Sequence, residues 1–130
     1  MMAGPETRIV ASIKKELKAR GAFCFKVHGS EHMMAGLPDL IVCYKGLFIG
    51  LEVKTPVGVV SAVQHYVHGQ IRSPGADGIA EVVTSAAEVV AILNRVDVYA
   101  AAVSRGTGPI RRHLALWRDR NKKATPKGGQ

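Results

Sequence analysis

The sequence predicts an α/β domain with helices packed on a mixed β-sheet, and three observations carry that expectation. Apolar periodicity changes along the chain in the order helix, strand, strand, strand, helix, strand, helix. Two apolar strand-like runs are separated only by Lys45-Gly46, which reads as a tight hairpin in which Gly supplies a positive φ. The chain of 130 residues is 47% hydrophobic but only 5% aromatic, so one domain-sized core of Val, Ala, Leu and Ile is expected.

Each element has a local reason. Pro5 and Glu6 open a segment in which Ile9, Ile13 and Leu17 recur every fourth residue between Lys14, Lys15 and Lys18, an amphipathic helix stopped by Gly21. Residues 22–27 are rich in aromatic and branched side chains and read as a short strand before the polar loop 29–36. The hairpin strands follow at 37–44 and 47–55. Ser61 is placed to cap a helix carrying Val63, Gln64, Val67 and Ile71 that stops near Pro74-Gly75. Residues 79–84 read as another strand. Ser85 followed by Glu88 fits a capping box, ahead of a helix that buries Val89, Val90, Ile92 and Leu93.

Residues 96–103 fit helix or strand, and 106–109 mark a boundary. Ile110, Leu114 and Trp117 then have helical spacing in a short basic segment before a disordered Lys/Gly tail. The expected organisation is a domain over 1–95 and a basic extension over 96–130.

Charge narrows the partner. The formal net charge is +8, and from Ser104 onward eight basic residues stand against the single acid Asp119. Such clustering favours a polyanion, because basic side chains meeting phosphates release condensed counterions. Cys24 and Cys43, the two cysteines, lie in apolar segments, where a thiol behaves as a small buried side chain and suits a reducing compartment. Neither a signal-like start nor a membrane-length apolar run is visible, so an intracellular protein away from membranes is expected.

The chemistry is concentrated in Pro38-Asp39 followed, after twelve residues, by Glu52-Val53-Lys54. Period-two alternation puts Glu52 and Lys54 on one side of a strand and Val53 in the core, while hairpin twist brings Asp39 to the same edge. Two carboxylates and a backbone carbonyl near Val53 are hard oxygen donors suited to Mg2+ or Mn2+. Lys54 beside them is suited to orienting or deprotonating an attacking water. An acid and a lysine placed among Ile49, Leu51 and Val53 are costly unless they serve a purpose, which weighs against an ordinary surface ion pair.

Leu37-Pro38-Asp39-Leu40-Ile41-Val42, Leu51-Glu52-Val53-Lys54-Thr55-Pro56 and Ser61-Ala62-Val63-Gln64, in that order and with Gly36 and Glu6 before them, resemble the motifs of the virus-type replication-repair nuclease (VRR-NUC) domain. That family is a branch of the PD-(D/E)XK nucleases, and the likeness spans roughly residues 5 to 93. The resemblance implies a restriction-endonuclease-like core, a central mixed β-sheet flanked by helices. It implies that Asp39, Glu52, the Val53 carbonyl and the first-helix acid Glu6 hold the metal, and that Lys54 and Gln64 complete the catalytic set. It further implies a metal-dependent endodeoxyribonuclease acting as a homodimer on Holliday junctions or other branched DNA, in a bacterial or phage-infected cytoplasm.

Lys26, His28 and His32, near the Asp39 strand, and Arg111 and Arg112 of the basic segment are the candidate DNA contacts. A non-catalytic DNA-binding module and a sequence-specific restriction-type enzyme are the rival readings. His65 and His68 lie three apart on a helix without a further suitably spaced ligand, so zinc is not indicated. Phosphate-binding glycine loops are absent, which removes the motif basis for ATP dependence.

Overall fold

The computed structural model describes residues 4–105. Its elements are α1 (Pro5–Ala19), β1 (Phe23–Lys26), β2 (Leu40–Tyr44), β3 (Leu47–Val53), α2 (Ala62–Arg72), β4 (Ile79–Val83) and α3 (Ala86–Arg105). The chain divides into two compact units, residues 1–94 and 95–130, with the division inside α3. Residues 96–103, open between helix and strand on periodicity, are helical. The expected basic helix around 110–117, together with Arg111 and Arg112, lies outside the described residues. Among the described residues no helix is long and apolar enough to cross a membrane.

The sheet has the order β1-β2-β3-β4, antiparallel between the first three strands and parallel between β3 and β4. This is the mixed, helix-flanked sheet expected. Lys45 and Gly46, which join β2 to β3, both have positive φ, at 50° and 81°. A two-residue turn of the primed type needs that conformation at both central positions, so Lys45 adopts it as well as the glycine.

Register assigns the two faces, because residues opposite one another across a ladder project to the same side. One face carries Leu40, Val42, Ile49, Leu51, Val53 and Val83, all buried. Helix α1 lies against β1 and β3 on this side and contributes Ile13 and Leu17, while α3 adds Val89, Ile92 and Leu93 to the core. The opposite face carries Phe23, Phe25, Cys43, Phe48, Gly50, Glu52 and Val82. Helix α2 covers only part of it, packing against β4 and over β3. The cysteines depart from the buried setting expected of them, Cys24 being half-buried and Cys43 exposed, because Cys43 falls on the uncovered part.

Two glycines let backbone come close where the site is built. A Cβ on Gly50 would meet Pro38 Cγ at 2.6 Å and the end of Ile71 at 3.4 Å, so this gap in β3 seats both Pro38 and α2. Gly36 has φ +84°, and a Cβ there would fall 2.6 Å from the Val63 carbonyl oxygen in the first turn of α2. A side chain at Gly36 meets both the left-handed penalty and a backbone clash. Gly36→Ala is expected to cost about 2–3 kcal/mol and lower the thermal midpoint by roughly 10 °C or more; a midpoint unchanged by calorimetry would contradict this packing.

Candidate active site

Asp39 sits immediately before β2, not within it, and its backbone and side chain tie three strands together. The Asp39 carbonyl accepts from Val27 N–H at 2.8 Å, and carboxylate Oδ2 accepts from Val53 N–H, also at 2.8 Å. Because Pro38 is lodged against Gly50, Asp39 is aimed at the end of β3. One carboxylate oxygen is thereby fixed to the backbone between Glu52 and Lys54.

Glu52 is the unusual residue. Strand alternation correctly separates it from Val53, but the face it occupies is roofed by α2, and Glu52 is only 1% exposed. Its Oε2 accepts from Gln64 Nε2 at 2.6 Å and lies 3.3 Å from Lys54 Nζ. Its Oε1 is buried with no hydrogen-bond partner. Burial, then the nearby charge of Asp39, raises the Glu52 pKa above the usual carboxylate range, against the opposing pull of Lys54 and Gln64.

Gln64 is held at both ends of its amide. Ser61 caps α2, with its hydroxyl accepting from Gln64 N–H at 3.2 Å, while Gln64 Oε1 accepts from Ser61 N–H at 2.9 Å. This reciprocal box uses the amide oxygen and leaves the NH2 group to face Glu52. The box expected at Ser85 and Glu88 forms only in part. Ser85 Oγ accepts from Glu88 N–H at 3.3 Å, but the Glu88 carboxylate accepts from the amide and hydroxyl of Thr84.

One turn beyond Gln64, His68 faces the same way and is 2% exposed, its Nε2 without a partner. Burial, helped by the neighbouring charges of Arg72 and His65 and opposed by Asp39, lowers its pKa and so favours the neutral imidazole. Periodicity over Gln64, Val67, His68 and Ile71 was the available signal for its burial.

The other candidates are more dispersed. Glu6 is exposed in the first turn of α1. No group of three His, Cys, Asp or Glu side chains able to hold a metal forms among the described residues, so Glu6 is not assembled with Asp39 and Glu52 as the resemblance implied. Lys26 ends β1 and is exposed; His28 and His32 are exposed in the loop that follows, the latter 3.5 Å from Glu31.

The donor set nevertheless fits a hard divalent cation. Two carboxylates lie near enough for one to raise the other's pKa, and one buried carboxylate oxygen is unsatisfied. The sign of the metal-free pH dependence follows from the raised pKa. The folded state holds the Glu52 proton more tightly than the unfolded chain, so stability falls as pH rises from the ordinary carboxylate range through the raised value. In EDTA at pH 8, Glu52→Gln is therefore expected to raise the thermal midpoint by a few degrees, with the gain shrinking as Glu52 becomes protonated at lower pH. A midpoint lowered equally at both pH values would contradict this electrostatic account.

The fold has a counterpart among solved structures. A structure described as a VRR_NUC domain superposes with a TM-score of 0.60 at 26% sequence identity, covering 71% of this chain and 97% of its own. No family model and no curated protein matches the chain. The match, over nearly the whole of that domain, supports a VRR-NUC domain with a PD-(D/E)XK-like, nuclease-type fold in this chain.

Proposed function

We propose that the protein is an endodeoxyribonuclease that hydrolyses phosphodiester bonds with Mg2+ or Mn2+, acting as a homodimer on branched DNA such as a Holliday junction. The observation that carries the metal-dependent reading is the buried, partnerless Oε1 of Glu52 beside a second carboxylate. A carboxylate taken out of water and repelled by Asp39 is costly without a cation, and DNA phosphates bring further negative charge. The nuclease-type domain and the chain's net charge of +8 support nucleic acid as partner.

Asp39, Glu52 and the Val53 carbonyl would hold the metal, which when bound supplies charge neutralisation at the scissile phosphate and eases ionisation of the attacking water. The protein groups have separable tasks around it. Val53 N–H fixes Asp39 Oδ2, and Gln64 Nε2 fixes Glu52 Oε2, so neither carboxylate has to reorganise as substrate arrives. Lys54, half-buried and 3.3 Å from Glu52 Oε2, orients the nucleophilic water and keeps a positive charge beside the oxygen that becomes negative. The resemblance to the PD-(D/E)XK nucleases implies products that carry a 5′-phosphate and a 3′-hydroxyl.

A labelled four-way junction, linear duplex and single strand, each incubated with Mg2+, Mn2+ or EDTA, test the reading. Cleavage is expected with metal only and preferentially at the junction. Asp39→Asn, Glu52→Gln and Lys54→Met should each reduce it by ~100-fold or more while leaving junction retention intact. Retention in EDTA with no product under any condition would replace the enzyme by a binding module, and cuts at fixed positions in linear duplex would replace branch selectivity by sequence recognition. A readout independent of turnover is thermal stability: Mn2+ should raise the midpoint of the parent protein and have little effect on Asp39→Asn.

Gln64 offers a separate prediction because its two roles come apart on substitution. Gln64→Glu retains an oxygen able to accept from Ser61 N–H but replaces the donor toward Glu52 by a repelling carboxylate. Activity is expected to fall by ~10-fold or more, with helix content by circular dichroism preserved. Parent activity in a folded Gln64→Glu protein would remove the amide from the mechanism.

A further inference from the structure

Among the described residues, Glu52 and His68 are the buried polar or charged side chains, and the proposed reaction uses only the first. The His68 imidazole is 2% exposed, and its Nε2 meets no hydrogen-bond partner. Burying a ring nitrogen unpaired is costly. Packing alone gives no reason for that cost, because an apolar ring or a leucine would pack there without it.

The helix determines where the ring lies. Gln64, His68 and Ile71 stand at i, i+4 and i+7 of α2, so they share one face. Both ends of this row are anchored on β3. Gln64 Nε2 donates to Glu52 at 2.6 Å, and the end of Ile71 lies 3.4 Å from where a Cβ on Gly50 would stand. His68 therefore lies between these anchors, above the stretch from Gly50 to Glu52, beside the Gly50 gap into which Pro38 packs ahead of Asp39. The charge of Asp39 reaches both buried groups, favouring a proton on Glu52 and on His68 alike.

We propose that His68 is a positioning residue of the candidate metal site, its Nε2 holding a water that a cation bound by Asp39 and Glu52 carries with it. Direct ligation is not the reading, since no three His, Cys, Asp or Glu side chains able to hold a metal come together among the described residues. Mg2+ gives up water reluctantly and keeps several waters where one or two carboxylates hold it, so a polar group just beyond the carboxylates has such water to bind. A neutral ring suits that position. Lysine or arginine there would compete with the cation for the two carboxylates, whereas neutral imidazole forms hydrogen bonds without opposing a divalent charge. Arg72, whose charge helps to keep the ring neutral, is itself engaged at the Ala80 carbonyl of β4, at 2.8 Å.

The inference rests on the metal-dependent reading of the same site and can fail while that reading stands. Its test compares stability with metal affinity in the full chain. His68→Phe removes the nitrogens and keeps a ring; in EDTA its thermal midpoint is expected at or above the parent's. Its dissociation constant for Mn2+, from calorimetric titration without DNA, should rise by ~10-fold or more. His68→Gln, whose amide reaches about as far as Nε2, should recover most of that affinity, and His68→Leu serves in place of His68→Phe if the larger ring does not fold. A folded His68→Phe or His68→Leu protein that binds Mn2+ as tightly as the parent overturns the inference and leaves the nuclease reading intact. So does a His68→Gln protein that binds no better than the apolar variants, which would make the ring's role one of shape. A parent chain that binds no Mn2+ removes the inference and the metal-dependent reading together.

Discussion

The structure depends most on the burial of one carboxylate. Glu52 sits in a strand whose neighbours are among the least exposed residues of the protein, and α2 closes over its face. A charge in that position is held by whatever is organised around it, and here the organisation begins outside the site. Ser61 and Gln64 exchange hydrogen bonds at the start of α2, which commits the Gln64 oxygen to the backbone and its NH2 group to Glu52. A helix cap thus sets the direction of a side-chain amide, and the amide sets one oxygen of the buried acid. Lys54 engages the same oxygen, so the other is left for a further positive partner.

The second carboxylate arrives by backbone packing instead of a side-chain network. Gly50 removes a side chain from the middle of β3, Pro38 occupies the gap, and Asp39 follows with one oxygen on Val53 N–H. Proline fixes its own φ and the strand fixes the donor, so few torsions remain to blur the separation of the two acids. Gly36 plays the corresponding part for α2, admitting the helix close enough for Gln64 to reach the strand. The residues flanking the acids therefore govern geometry while the acids govern charge.

Much of this was legible in the sequence because it is local. Helical spacing of Ile9, Ile13 and Leu17, the Lys45-Gly46 turn, and Ser61 ahead of Gln64 each encode their element within a few residues. Alternation also separated Glu52 from Val53. What it could not convey is that both faces of β3 are covered, since coverage of the Glu52 face depends on where α2 crosses the sheet. The same limit accounts for His68, buried by tertiary position, and for Cys43, exposed despite an apolar neighbourhood. Ser85 and Glu88 show how a local motif can divide: Thr84, one residue earlier, supplies the donors that take the Glu88 side chain. Glu6 has a complete local role in the first turn of α1, where the helix dipole favours an acid, and nothing in its spacing determines its distance from a hairpin more than thirty residues away.

One cause links the active site to the apolar face beside it. A four-stranded sheet has more area than a single eleven-residue helix can cover, and α2 lies toward β3 and β4. Under the helix, water is excluded, so a carboxylate there acquires a raised pKa and a demand for positive charge. Beyond its flank, the same face emerges with no roof, so Phe23, Phe25 and Phe48 remain in water, a cost that persists until another apolar surface displaces it. The placement of α2 thereby creates two unsatisfied demands of opposite chemistry on one face: a cation for Glu52 and an uncharged surface for the aromatic rows. A positive charge answers only the first, and an apolar surface answers only the second.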